Sequence, residues 1–113
     1  MSYAPVCILA RTVTATAAIA EYLQVTYAGA LPSATGAVVM GSARFAAAIG
    51  DDLTVDVMGE LVGVSGAAIT LGQALVTNSA GKLIPSPGSG YVVGYAVEAA
   101  AAADAKIRYI RGV

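Results

Sequence analysis

The side chains that most often carry out catalysis or bind metals are scarce in this chain. It contains no histidine and no tryptophan, and Cys7 is its single cysteine. Without histidine, neither a Ser-His-Asp nor a Cys-His nucleophile can form, and one cysteine supports neither an internal disulfide nor a cysteine-based zinc site. We therefore expect no catalytic residue, no metal and no cofactor. Because Cys7 lies in an apolar run, we interpret it as a buried, inert thiol.

One group of acidic residues is dense enough to suggest chemistry: Asp51, Asp52, Asp56 and Glu60. Such carboxylates could bind Ca²⁺ or act in acid–base catalysis. In a strand that begins at Leu53, however, Asp56 points to the polar face, and Asp51 and Asp52 lie in the preceding turn. We interpret the group as a solvated turn followed by one exposed carboxylate.

The chain has few charges for its size. Its 113 residues fit one domain, and 12% of them are charged while 58% are hydrophobic. The net charge of -1 creates no field that could hold nucleic acid, so we expect no nucleic-acid partner. A monomer of this composition would expose much apolar surface, and little charge repulsion would keep copies apart. These properties favour a subunit that assembles with copies of itself.

Two long uncharged segments, 22–43 and 61–81, raise the question of a membrane span. Both contain several Gly, Ser and Thr residues, and the first contains Pro32, so neither resembles a lipid-facing helix. The N-terminus lacks the basic start of a signal peptide. We therefore expect no membrane partner, and synthesis in a cytoplasm.

Apolar residues alternate along several segments with the period of two that is typical of half-buried strands. The clearest run is Leu53, Val55 and Val57, which Gly59 is predicted to close. Turn residues recur at intervals of about ten, so we predict an all-β fold, a small antiparallel sandwich or barrel. Gly81 is predicted to be left-handed in a hairpin turn. The other predicted strands are 22–27, 73–77, 82–84, 92–97 and 106–111.

The remaining segments are less regular. Residues 1–20 contain no turn residue after Pro5, and we predict an extended N-terminal arm or an edge strand, followed by a single β domain over residues 21–113. The five alanines of 99–103 are predicted to form a tight connection of at most one helical turn, and 43–49 a brief helix.

Five tyrosines fall in predicted strands or directly beside one. Tyrosine is frequent in strands because it packs well on a sheet, and it is also enriched at subunit interfaces. The sequence leaves both interpretations open, so these residues are candidates for a subunit interface. They are Tyr22, Tyr27, Tyr91, Tyr95 and Tyr109.

The C-terminal part of the chain, from about residue 36 to residue 113, resembles a known family. The similar segments are Val64 to Lys82 (VSGAAITLGQALVTNSAGK), Val93 to Ala100 (VGYAVEAA) and Ile107 to Ile110 (IRYI). They resemble the small capsid cement, or head decoration, proteins of tailed bacteriophages. The resemblance rests on turn glycines and alternating apolar residues rather than on a catalytic signature. Ala103 departs from it, because the family often has glycine at that position.

The resemblance implies a β-rich structural virion protein without enzymatic activity. It implies binding to the outer surface of an expanded icosahedral head, commonly as a homotrimer, after synthesis in the host bacterial cytoplasm. The partners would be the major capsid protein and the chain itself. We expect the N-terminal segment to add a strand to a capsid sheet, and the capsid-contact candidates are Tyr3, Pro5, Val6, Ile8 and Arg11. The alternative is a non-catalytic, homo-oligomeric tail, fibre or adhesin-like β module that binds a host surface glycan.

Overall fold

A computed structural model describes residues 6–112, which fold into antiparallel β-strands. The strands are β1 (Val6–Thr14), β2 (Gln24–Val25), β3 (Gly41–Ala43), β4 (Asp52–Val64), β5 (Ala74–Thr77), β6 (Leu83–Pro85), β7 (Gly94–Ala96) and β8 (Lys106–Arg111). They pair in the order β2-β3-β4-β8-β7-β5-β6, and β1 pairs with β4. The predicted all-β class is confirmed, with no helix in the described residues, and the sheet is not closed into a barrel.

The long strand β4 holds the sheet together. Its residues 52–60 pair with β1, and its residues 59–64 pair with β8 on the opposite edge. The prediction that Gly59 closes this strand is wrong, because the strand continues through Gly59 to Val64. Gly59 has a φ of 120°, and a side chain there would meet the carbonyl oxygen of Val6. This glycine therefore marks a bend with a close backbone contact inside the strand rather than its end.

The chain folds as two successive units with equivalent backbone hydrogen bonds, which the sequence analysis missed. We call residues 10–57 the first unit and residues 60–111 the second unit. The bridge between Ile19 and Ala47 in the first unit corresponds to the bridge between Ile69 and Ala100 in the second. Likewise, the Tyr22 amide donates to the Ala43 carbonyl at 2.7 Å, and the Gly72 amide donates to the Ala96 carbonyl at 2.8 Å.

The two units share β4, whose halves have different roles. Residues 52–57 of β4 end the first unit, and β8 is their equivalent in the second. Residues 60–64 of β4 open the second unit and correspond to residues 10–14 of β1 in the first. The ladder shows this directly, because Val13 pairs with Leu53 in the first unit as Gly63 pairs with Ile107 in the second.

Each unit has its own hydrophobic core at matching positions. Ile19, Val25 and Leu53 are buried in the first core. Ile69, Leu75 and Ile107 occupy the equivalent positions of the second core. Neither 43–49 nor 99–103 is helical. Ala47 and Ala100 form β-bridges to Ile19 and Ile69, and each segment is therefore extended at its bridge.

The predictions for individual strands and turns are confirmed in part. The hairpin is confirmed as β5 and β6, with Gly81 at a φ of 80°. The predicted strand 22–27 is reduced to β2, because Tyr22 has a φ of 68° and lies in a turn. Of the two forms left open for residues 1–20, the described part from Val6 to Thr14 is a strand at the edge of the sheet.

Candidate interaction surfaces

The strand β1 presents apolar side chains at an edge of the sheet. In the described part of the chain its only strand partner is β4, so its other edge carries no ladder. The side chains of Val6 and Ile8 are 65% and 70% exposed, and Arg11 is also exposed. These three capsid-contact candidates therefore lie on one edge strand. The other two, Tyr3 and Pro5, lie outside the described residues.

The middle of β1 is irregular. Its register with β4 shifts between Cys7 and Leu9 and again between Leu9 and Ala10, which leaves Ile8 without a partner residue on β4. Bulges of this kind strengthen the local twist of an edge strand and aim side chains differently. Here Ile8 is directed to solvent, whereas Cys7 packs against the second core.

Cys7 has the properties of a structural thiol. Its Sγ donates to the carbonyl oxygen of Leu9 at 3.0 Å, and the side chain is half-buried. Burial raises the pKa of this thiol, and the neighbouring Asp56 raises it further. The thiolate, which is the nucleophilic form, is therefore disfavoured.

The five tyrosines proposed for an interface occupy three different environments. Tyr109 is completely buried, so its side chain is not on the surface of the chain. Tyr22 and Tyr91 are half-buried, and each ring lies near a cation, the Lys106 ammonium at 5.4 Å and the Arg111 guanidinium at 5.7 Å. Tyr27 and Tyr95 are the exposed pair, at 58% and 56%.

A polar face separates the two units. We call it the inner face and define it by four residues. Gln24 lies on β2, Ser42 on β3, Arg44 directly after β3, and Asp56 on β4. Gln24, Ser42 and Asp56 oppose one another across the three strands and are at most 2% exposed. Gln24 Nε2 donates to Ser42 Oγ at 2.9 Å and to the hydroxyl of Tyr109 at 3.0 Å. Ser42 and Tyr109 also share a hydrogen bond, so the second unit covers this face.

The position of Asp56 corrects the sequence interpretation. It is a buried carboxylate rather than an exposed one, because Arg44 bonds it and because Tyr109 of the second unit packs on Ser42 beside it. Arg44 Nε and Nη2 both donate to Asp56 Oδ1, at 2.9 and 2.5 Å. These hydrogen bonds raise the pKa of the Arg44 guanidinium. Asp51 is exposed in the bend before β4, as predicted, and Asp52 is exposed but is the first residue of β4 rather than part of the turn.

The four equivalent positions of the second unit are apolar or aromatic, and Glu60 lies beside them because it pairs with Ile110. We call these four positions the outer face; they are Ala74, Tyr95, Val97 and Ile110. Ala74 opposes Tyr95, and Tyr95 opposes Ile110, just as Gln24 opposes Ser42 and Ser42 opposes Asp56. Val97 takes the place of Arg44, because its amide donates to Arg108 as that of Arg44 donates to Thr54. Tyr95 is exposed and the other three are half-buried.

Among the described residues no three His, Cys, Asp or Glu side chains lie close enough to hold a metal ion. Over residues 6–112 no pocket is found. None of the described segments is a helix that could cross a membrane.

Comparison with known proteins gives a family and a fold. No match was found among curated proteins. The crystal structure of the head fiber gp8.5 N base in bacteriophage phi29 is similar with a TM-score of 0.76 and 20% identity, covering 92% of this chain and 93% of that one. At this identity the similarity concerns the fold. The family model described as phage cement protein matches residues 8–111, nearly the whole chain, and the chain therefore belongs to the phage cement protein family.

Proposed function

We propose that this protein is a non-enzymatic structural component of a phage virion that binds the outer surface of the expanded head and stabilises it. Membership of the cement family supports a role in the phage particle. The observation that carries the proposal is the edge strand β1, where Val6 and Ile8 are exposed beside backbone groups that no strand of residues 6–112 pairs. An exposed apolar edge strand is a ready site for pairing with another chain.

The binding step is strand addition. The free edge of β1 pairs with the edge of a sheet in the major capsid protein, and main-chain hydrogen bonds provide the affinity. Val6 and Ile8 enter apolar pockets of the capsid protein and provide specificity, while Arg11 remains at the rim. This contact needs complementary backbone and apolar area, and it needs no reactive group.

Stabilisation follows from joining neighbouring capsid subunits. One edge strand binds weakly, but three on one rigid trimer engage together, and linked binding raises avidity by roughly 10²- to 10⁴-fold without a new contact. A trimer that holds three capsid subunits opposes their separation. The partners in this proposal are the major capsid protein and two further copies of this chain.

The direct test mixes the purified protein with expanded capsids that lack it. We expect saturable binding at a fixed copy number and a higher melting temperature of the capsids. Ile8→Lys places a charge on the proposed contact and should weaken binding without changing the melting temperature of the protein itself. Leu71→Lys is the matched control, because Leu71 is 71% exposed and lies in the turn before β5 of the second unit rather than on β1. Equal binding by both variants would exclude β1 as the contact.

Salt separates this mechanism from an ionic one. The proposed contact consists of apolar side chains and main-chain hydrogen bonds, so binding should persist at about 0.5 M salt, where the Debye length is about 4 Å. Release of the protein by modest salt contradicts strand addition by β1. Binding of the free protein to a glycan array would instead support a host-surface adhesin.

A further inference from the structure

The free edge of β1 offers backbone hydrogen-bonding groups at defined residues. Arg44, which follows β3, donates its amide to the carbonyl oxygen of Thr54 at 2.9 Å, so this carbonyl points away from β1. Thr12 lies opposite Thr54 in the ladder, and opposed residues of an antiparallel pair alternate between bonded and non-bonded. Thr12 is therefore in a non-bonded pair with β4, and its amide and carbonyl point to the free edge.

Ala10 has the same orientation as Thr12. It lies opposite Asp56, and a side chain at Gly41 of β3 would meet the Asp56 carbonyl oxygen, so this carbonyl also faces β3. Ala10 and Thr12 thus present two amides and two carbonyls on the free edge of β1. Both residues are exposed, and β4 is the only strand of residues 6–112 that pairs with β1.

This stretch of free edge is bounded at both ends. On the C-terminal side the loop at Gly29 covers the edge, because the Thr16 amide donates to the Gly29 carbonyl at 2.9 Å and a side chain at Gly29 would meet the Thr14 carbonyl oxygen. On the N-terminal side, the bulge that leaves Ile8 without a partner interrupts the ladder. The stretch available for regular pairing is therefore short and extends from Ala10 to Thr12.

The second unit shows what a strand added at this place looks like. Glu60 of β4 corresponds to Ala10 of β1, since each opens its unit. The edge of Glu60 that faces away from β8 is paired with Val6 of β1, which runs antiparallel to β4. The corresponding edge of Ala10 carries no strand of residues 6–112. An antiparallel strand therefore fits the first unit at Ala10 to Thr12.

Arg11 indicates which kind of chain fits this edge. Its side chain is exposed, and none of the ion pairs among the described residues includes it. If β1 of a second copy paired antiparallel over the same stretch, two Arg11 side chains would lie close together, and like charges at cross-strand positions destabilise a sheet. A partner that places a carboxylate beside Arg11 avoids this repulsion and gains an ion pair at the rim of the contact.

We infer that the capsid protein contributes a short extended segment that adds antiparallel to β1 over Ala10 to Thr12 and carries a carboxylate beside Arg11. The inference rests on the proposed function and specifies its contact. The backbone of this stretch forms the hydrogen bonds, and the side chains beyond the bulge, Val6 and Ile8, add apolar contacts. The ion pair selects the partner and its register but adds little affinity, because exposed ion pairs are weak.

The test uses the purified full chain and expanded capsids that lack it. Thr12→Pro removes the outward amide without removing a hydrogen bond to β4, so the variant should fold, and its dissociation constant for capsids should rise at least about tenfold. Thr14→Pro is the matched control, because it makes the same change where the Gly29 loop covers the edge, and it should change the constant less than about twofold. Thr12→Ala keeps the amide and should bind like the unchanged protein.

A charge reversal tests the carboxylate of the partner. Arg11→Glu should raise the dissociation constant about fivefold at low salt, and the difference should shrink at about 0.5 M salt. Arg11→Lys keeps the charge and should bind within about twofold of the unchanged protein. Equal binding of Arg11→Glu and the unchanged protein at low salt would overturn the assignment of a carboxylate to the partner.

Hydrogen exchange decides the question if Thr12→Pro does not fold. In the free, unchanged protein the amides of Ala10 and Thr12 should exchange faster than those of Arg11 and Val13, which face β4. On the capsid, the amides of Ala10 and Thr12 should become protected. Exchange of both amides at the same rate in the free and the bound protein would overturn the inference.

The outcomes distinguish this contact from the proposed function. If the unchanged protein does not bind capsids, the proposed function fails and the contact at Ala10 to Thr12 fails with it. If the unchanged protein binds and a folded Thr12→Pro protein binds equally well, the function stands and the inference is overturned. An equal loss of binding in Thr12→Pro and Thr14→Pro overturns the assigned stretch. A change in the oligomeric state of free Thr12→Pro, measured by sedimentation, would assign the edge to a second copy and also overturn the inference.

Discussion

The two units of this protein share a backbone and differ in what they place on equivalent surfaces. The first unit carries hydrogen-bonding groups on its inner face, and these are buried against the second unit. The second unit carries Tyr95 and Ile110 at the same strand positions, where they are exposed and half-buried. A repeated fold therefore constrains the core and the hydrogen-bond ladder, whereas the chemistry of each face follows what packs on it.

The polar character of the inner face has a physical consequence. Gln24, Ser42 and Tyr109 can form their hydrogen bonds only when the two units meet in one arrangement. An apolar contact would tolerate sliding, whereas an unsatisfied buried group would cost about 1–3 kcal/mol in a wrong arrangement. The inner face therefore fixes how the units meet, and apolar burial in the two cores supplies most of the stability.

The largest expected effect tests whether the two cores are one cooperative structure. Leu53→Ala and Ile107→Ala remove equivalent buried side chains from the first and second core. Each should lower the free energy of unfolding by about 2–5 kcal/mol, because each leaves a cavity. Since β4 runs through both units, urea unfolding followed by circular dichroism should show a single transition for both variants. Two separate transitions in either variant would mean that the units fold independently.

A second prediction concerns a difference in size between the two cores. The first core has Val13 where the second has Gly63, and a side chain at Gly63 would meet Leu83 Cδ1 at 2.5 Å and Tyr109 Cε1 at 3.1 Å. Gly63→Ala should therefore lower the free energy of unfolding by about 1–3 kcal/mol through overpacking. In a Leu83→Ala background the same change should cost much less. Equal costs in the two backgrounds would show that backbone conformation, not crowding, requires glycine.

The sequence predicted the β class and the positions of several strands, because these depend on local alternation and turn residues. It did not reveal the two units. Their clearest shared segment is short, Ala17-Ala18-Ile19 and Ala67-Ala68-Ile69, and the equivalent core residues differ in type, as Val25 and Leu75 do. Loops of different length between equivalent strands also disturb any fixed spacing.

The errors at Gly59 and Asp56 have related causes. A glycine after an alternating run is compatible with the end of a strand and with a bend inside one. The close contact of Gly59 with the Val6 carbonyl, which distinguishes the two, cannot be read from local sequence. Alternation placed Asp56 correctly on the polar side of β4, but local sequence does not show that a second unit covers that side. The tyrosines show the same limit of local sequence. Tyr109 and Tyr95 both lie in alternating strand segments, yet Tyr109 is buried and Tyr95 is exposed.

A third prediction compares a tyrosine-to-phenylalanine substitution at Tyr109, which covers the inner face, with the same substitution at Tyr95 on the outer face. Tyr109→Phe removes a hydroxyl that bonds Gln24 and Ser42, and it should lower the free energy of unfolding by about 1–2 kcal/mol. The effect stays near the lower end because Gln24 and Ser42 still bond each other at 2.9 Å. Tyr95→Phe should leave the stability of the monomer unchanged within about 0.5 kcal/mol, as exposed substitutions usually do. A larger loss for Tyr95→Phe, measured below the concentration of self-association, would contradict the contrast between the faces.

The smallest expected effect is a loss of stability that appears only at alkaline pH. Burial raises the pKa of Tyr109 above its ordinary value of 10.0, so the folded state keeps a proton that the unfolded chain gives up. Unfolding then releases protons, and stability decreases as the pH rises above about 10, by at most about 1.4 kcal/mol per pH unit for this group, until the folded pKa is reached. The raised pKa of Cys7 acts in the same direction from about pH 9. Urea unfolding of the Cys7→Ala protein from pH 8 to 11 should therefore show a slope above pH 10, and adding Tyr109→Phe should reduce it. A slope that Tyr109→Phe leaves unchanged would mean that ionisation at the buried tyrosine does not limit the alkaline stability of the contact between the two units.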